Sequence, residues 1–151
     1  GSVLLCEGIS GGNLLDPVSG EAVKPSQISL VVNLDQLGSS LAPVTEGNPR
    51  YMIMLSESYS GRRNVIESIN RGKGFGLELS YDYYGSKDFT RLFYRRLCDQ
   101  RIFLEHGIPA VMFTSGITLL NNKPGDSPES LDYKLLEDRT RLIFRYLDRI
   151  L

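Results

Sequence analysis

Hydrophobic and polar positions along the chain alternate between two periods, and the most strongly apolar run lies late, at residues 108–114 (IPAVMFT). The His106-Gly107 turn bounds it on one side and Ser115-Gly116 on the other. A short, continuous apolar run between turn signals predicts a strand buried on both faces, as found in parallel or mixed sheets covered by helices. Residues 27–34 (QISLVVNL), rich in β-branched side chains, predict a second strand, and 51–55 (YMIML) a third. Residues 77–84 alternate loosely and read as an edge strand, and the apolar run at 2–6 (SVLLC) reads as the first strand of the chain. Between these segments the period changes to that of a helix. Val65, Ile66 and Ile69 predict a helix over 61–71, stopped by Gly72 and Gly74. Phe89, Leu92, Phe93, Leu97, Ile102 and Phe103 predict a helix over 87–106, broken near Cys98-Asp99. The last helix starts at Leu131 or Asp132 and runs to Leu151. Its stripe of Leu135, Leu136, Leu142, Ile143, Tyr146, Leu147 and Ile150 faces the sheet, and Arg139, Arg141, Arg145 and Arg149 are assigned to water.

The pattern predicts an α/β fold: a mixed, mostly parallel β-sheet flanked by helices in a three-layer arrangement. Residues 8–25 carry many glycines and prolines and read as a long loop, with turns at Asp16-Pro17 and Ser19-Gly20. At 151 residues one domain is expected, with 1–26 an irregular N-terminal part. The hydrophobic content of 41% and charged content of 23% are those of an ordinary globular protein. A net charge of −1 speaks against nucleic acid or an anionic membrane surface as partner. No apolar run approaches the roughly 20 residues of a membrane span. Cys6 and Cys98 are too few for a disulfide framework and read as buried thiols, with a single bridge between them left open.

Several chemistries are missing from the sequence. It has no G-x-G-x-x-G, no phosphate-binding P-loop and no G-x-S-x-G elbow. With one histidine and no Cys-x-x-Cys pair, a classical structural zinc site is excluded. His106 reads as a solvent-facing residue at a helix end. The carboxylates that stand out are Asp35 and Asp126, each just past a predicted central strand, where ligands sit in open α/β sheets. Asp99, inside the broken helical segment, is the third.

Three ordered segments then carry a resemblance. Residues 33–38, Asn-Leu-Asp-Gln-Leu-Gly, resemble the Asn-Leu-Asp-Met-Ile-Gly motif of the M28 family of zinc peptidases, the aminopeptidase and carboxypeptidase group. Residues 98–103, Cys-Asp-Gln-Arg-Ile-Phe, followed by Gly107-Ile108-Pro109-Ala110, resemble its Ser-Asp-His-x-Pro-Phe-x-x-x-Gly-Ile-Pro-Ala motif at the same spacing. Residues 121–127, Asn-Asn-Lys-Pro-Gly-Asp-Ser, are similar to its Tyr-His-Thr-Pro-x-Asp-Thr. The resemblance covers residues 27–151 and corresponds to the C-terminal half of the family's catalytic domain.

What the resemblance implies is a reduced zinc-exopeptidase (phosphorylase/hydrolase-like) fold with an altered metal cleft. Family members hold two zinc ions and use a glutamate as general base on metal-bound water. Asp35 occupies a retained zinc-ligand position, whereas Asn122 replaces the family's last zinc-binding histidine and Gln100 the histidine of Ser-Asp-His. Asp99, Gln100 and Asp126 belong to the implied cleft. The family's Glu-Glu pair follows a strand resembling residues 2–6, which makes Glu7 the nearest candidate base. An amide is a poor zinc ligand beside an imidazole. The resemblance therefore implies a catalytically inactive, peptidase-like binding or interaction module, with no cofactor expected in this chain where the family holds zinc. The alternative is a zinc-dependent aminopeptidase-type hydrolase, or a fragment of one, cleaving N-terminal residues with metal-activated water. A peptide or protein partner, self-association through exposed apolar sheet surface, and a periplasmic or secreted location are the accompanying expectations.

Overall fold

The apolar run near residue 110 becomes the strand around which the sheet is built. A computed structural model describes residues 1–39, 48–57, 62–83 and 85–151. Within it, β1 (Val31–Asp35), β2 (Tyr51–Leu55), β3 (Glu78–Ser80) and β4 (Ala110–Thr114) form one sheet in the order β1-β4-β2-β3. All five residues of β4 are buried, as are all five of β2. β1 runs parallel to β4, with Val31 opposite Ala110 and Asp35 opposite Thr114. β2 runs antiparallel to β4, with Leu55 opposite Met112, and β3 runs parallel to β2. Two parallel pairs thus meet along one antiparallel seam, and their carboxyl ends point to opposite ends of the sheet.

Alternation along β4 distributes its side chains between two cores. Val111 and Phe113 join Met52 and Met54 under α2 (Arg63–Gly72) and α5 (Tyr133–Ile150), which supply Ile66, Leu135, Leu142, Ile143 and Tyr146. Met112 joins Tyr51, Ile53 and Leu55 on the other face, covered by Tyr83, Phe93 and Tyr94. Those last two belong to a π-helical turn, Phe93–Leu97, that continues α3 (Lys87–Leu92). α4 (Arg101–Glu105) follows and meets α1 (Ser2–Ser10) in a smaller cluster of Cys6, Ile9, Phe103 and Ile108. Helices on both faces of a mixed sheet are the α/β architecture that the periodicity predicts. No helix among the described residues is long and apolar enough to cross a membrane.

The caps are legible in the chemistry. Asp132 accepts a hydrogen bond from the Leu135 amide at 2.9 Å and starts α5, and Ser86 accepts one from the Phe89 amide at 3.2 Å and starts α3. The predicted break near Cys98-Asp99 is there too, because Cys98 adopts an extended conformation between the π-helical turn and α4. Both thiols are free, with Cys6 buried and Cys98 half-buried.

Two expectations are corrected. Residues 2–6 form no strand; they open α1, so the N-terminal part assigned as irregular begins with a regular helix. A five-residue apolar run carries too little period to separate strand from helix. Cys6 and Ile9, three apart, bury against α4, while Val3, Leu4 and Leu5 stay exposed. The turn at Asp16 is as read, its carboxylate accepting the amides of Val18 and Ser19 at 2.9 and 2.7 Å, and it is closed by a Leu15–Ala22 bridge.

The second correction is Arg139, assigned to water but fully buried. Its Nε donates to the Tyr51 carbonyl at 3.1 Å, and its Nη1 to those of Leu37 and Ser39 at 2.6 and 2.8 Å. Its Nη2 donates to the Pro49 carbonyl at 3.0 Å. One guanidinium therefore fastens α5 to the segment after β1 and to the start of β2. Arg141, Arg145 and Arg149 are exposed, as assigned.

Candidate functional site

Asp35 is the last residue of β1, at the carboxyl end of the β1–β4 pair. The chain turns sharply after it: Gln36 has φ 54°, a left-handed conformation uncommon outside glycine and asparagine. The Gln36 carbonyl accepts the Ser115 amide at 3.3 Å and also its hydroxyl, joining the exits of β1 and β4. Asp35 then lines a cavity of about 290 Å³ with Ser2, Arg96, Cys98, Asp99 and Arg101. This cavity lies between the end of β1, the start of α1 and the break that precedes α4.

Its electrostatics follow from two acids in a confined space. Burial first, then the neighbouring Asp99 charge, raises the Asp35 carboxyl above its ordinary range. Burial, followed by the Asp35 charge, pushes the Cys98 thiol up to about 12, against a hydrogen bond from Gln100 that favours the thiolate. Cys98 is therefore a protonated, unreactive thiol at neutral pH. Asp99 is itself exposed and accepts the Ser2 hydroxyl at 3.1 Å.

The Asp35 shift has a definite sign in pH. Between the ordinary carboxylate range and the raised value, the folded chain holds a proton that the unfolded chain has released. That contribution is complete at acid pH and is lost as pH rises through the raised pKa. Asp35→Asn, neutral throughout, is therefore expected to melt above the wild type at neutral pH, with the gain vanishing toward about pH 3. Thermal melts of both proteins across pH check it; a variant that melts below the wild type at neutral pH would refute it.

Gln100 points inward and is fully buried. Its Oε1 accepts from Asn33 Nδ2 at 2.7 Å, and its Nε2 donates to the Tyr94 carbonyl at 2.7 Å and approaches Met112 Sδ at 3.6 Å. It ties β1, β4 and the π-helical turn together behind the cavity. The other candidates lie elsewhere. Asn122 is exposed at φ 57°, a conformation asparagine tolerates, in the loop after β4. Asp126 is exposed and lines a separate crevice of about 70 Å³ with Gln36, Ser39, Asn121 and Ser130. Glu7 sits on the exposed side of α1, outside the residues that line the Asp35 cavity. His106 is exposed, its Nδ1 2.8 Å from the Ile102 carbonyl at the end of α4. The structure thus brings Asp35, Cys98 and Asp99 together around Gln100 and keeps Glu7, Asn122 and Asp126 apart from them. The participation of Ser2, Arg96 and Arg101 carried no signal in the sequence beyond their closeness to Asp99 or to the chain's start.

No protein-family model matches the chain, and no curated protein matches it. Among solved structures it is similar to the crystal structure of the Legionella pneumophila LapA aminopeptidase, with a TM-score of 0.52 and 13% sequence identity. That similarity covers 78% of this chain and 29% of that one, and at this identity it shows a likeness of fold alone.

Proposed function

We propose that residues 1–151 form a single M28 peptidase-like domain, resembling the family over 27–151, that has kept the sheet and lost the metal chemistry, and that it works as a peptide- or protein-binding module through the Asp35 cavity. The observation that carries this reading is Gln100. Where the family places a histidine, this chain has a fully buried amide whose oxygen and nitrogen are already engaged by Asn33 and by the Tyr94 carbonyl.

The donor set does not fit the family's two zinc ions. Asp35 supplies one carboxylate, but the family's histidine position beside it is filled by Gln100, whose amide oxygen and nitrogen are already engaged by Asn33 and Tyr94. Asn122 is exposed in the loop after β4. Among the described residues no group of three histidine, cysteine, aspartate or glutamate side chains is placed to hold a metal ion.

A binding role is supported by the surface around the cavity. Among the described residues β1 is the terminal strand on its side of the sheet, and Leu34 on it is 52% exposed. The exposed Val3 of α1 and Leu97 line the same cavity. An extended peptide, or β1 of a second copy, would find there apolar side chains and a strand edge that no other strand among the described residues pairs. The retained position of Asp35 is what supports the competing reading, an aminopeptidase whose remaining ligands come from sequence outside this chain. An aminoacyl-nitroanilide assay with added zinc separates the two. Release of nitroaniline no faster than by Asp35→Ala is expected; turnover that a chelator and Asp35→Ala both abolish would establish the hydrolase instead.

A further inference from the structure

The opposite end of the sheet carries a second concave site. Because β2 runs antiparallel to β4, the carboxyl ends of β2 and β3 lie away from Asp35, at the entrance of β4. Ser56 Oγ and Tyr94 Oη both donate to the carbonyl of Ala110, the first residue of β4, at 2.9 and 2.8 Å. Above them is a cavity of about 370 Å³, a volume suited to a small organic molecule. It sits outside the carboxyl ends of a parallel strand pair, where ligands of open sheets commonly bind.

The lining has a polarity of its own. Leu55, Tyr81 and Tyr94 give it an apolar and aromatic wall, and Arg63, Lys87 and Arg91 bring three cations to its rim. None of these three forms a salt bridge among the described residues. The Arg63 guanidinium carbon lies over the Tyr81 ring, 4.5 Å from its centroid, and Tyr81 is held in turn by its hydroxyl bond to Glu67 at 3.0 Å. This arginine is therefore pre-positioned rather than free to fold away into solvent. Two acids also lie on the rim, and Glu57 is within electrostatic reach of Arg91, so the cations outnumber the acids by one. Glu57 is paired with Arg95, and an Asp82 carboxylate oxygen accepts the Gly85 amide at 2.9 Å.

We propose that this cavity binds a small organic oxyanion, a carboxylate or phosphate carried on an aromatic or aliphatic body. Arg63 and Arg91 grip the anion and the Leu55–Tyr81–Tyr94 wall takes the apolar body. A guanidinium matches the planar or tetrahedral oxygens of either head group, and the wall gives the body a dry place to stack. The site is independent of the Asp35 cavity and of what that cavity does.

The test is a ¹H–¹⁵N NMR titration of the full chain with phenyl phosphate, with benzoate, and with neutral benzyl alcohol. Phenyl phosphate or benzoate is expected to give saturating shifts centred on the Arg63, Tyr81 and Arg91 amides. Benzyl alcohol should bind about tenfold more weakly or worse, and Arg63→Gln and Arg91→Gln should each weaken the anion about tenfold while keeping the dispersed spectrum of the folded chain. Shifts that do not saturate, equal response to benzyl alcohol, or anion affinity unchanged in both folded variants would each overturn the proposal.

Discussion

Arg139→Met is expected to lose about 3–5 kcal/mol of stability, the largest effect of any single substitution considered for this chain. The reasoning starts from the side chain's surroundings. Burial pushes the Arg139 guanidinium down only to about 10, so it is charged and donating at neutral pH. It satisfies the carbonyls of Leu37, Ser39, Pro49 and Tyr51, which come from the loop after β1, the approach to β2 and the first residue of β2. Methionine fills much of the same volume but donates nothing, and each buried carbonyl left without a donor costs roughly 1–3 kcal/mol. Relief of the guanidinium's own desolvation offsets part of that loss. Arg139→Lys, with one compact ammonium in place of a planar fork, should fall between the two. Urea unfolding midpoints check the order. A methionine variant as stable as the wild type would mean that the carbonyls do not depend on Arg139.

Gln100→Met is expected to cost about 2–4 kcal/mol, and here too the near-isosteric shape keeps a cavity from contributing. Two polar groups lose their partners, the half-buried Asn33 amide and the buried Tyr94 carbonyl. Because those groups belong to β1 and to the π-helical turn, the damage should be felt at the Asp35 cavity that they flank. Cys98, half-buried two residues before Gln100, is the reporter. In the folded variant its reaction with a thiol reagent should slow below that of the wild type, because the Gln100 hydrogen bond that favours the thiolate is gone. An unchanged unfolding midpoint together with an unchanged labelling rate would show that Gln100 holds nothing in place.

The sheet was largely readable from period and composition, and the exceptions have physical causes. The run at 108–114 can be assigned because six apolar positions in seven between turn residues leave few alternatives, and β4 is buried throughout. β2 was legible for the same reason, and the broken helix around Cys98 because its apolar stripe changes phase there. The run at 2–6 was misread because a helix lying on a small apolar patch leaves Val3, Leu4 and Leu5 outside, which mimics the density of a buried strand. Arg139 was misread through its chemistry, although its position gave it away. It falls four residues after Leu135 and three before Leu142, in line with the buried stripe of α5. A charged residue on an apolar line has to find acceptors, and only the fold says where they are.

The site was legible in part. Asp35 and Asp99 were singled out, and they share a cavity with Cys98. Asp126 was singled out by the same strand-end argument, but the loop after β4 carries it to a separate crevice beside Gln36. Position after a strand fixes where a loop starts and not where it goes. The second cavity left no motif at all, since its Arg63, Tyr81 and Arg91 are spread over α2, the exit of β3 and α3.

Titrating zinc into the purified chain by calorimetry is the most direct test of a peptidase-like scaffold kept without its metal site. No stoichiometric binding tighter than micromolar is expected, and Asp35→Ala should give the same trace as the wild type. Tight uptake of one or two zinc ions per chain, abolished by Asp35→Ala, would contradict it.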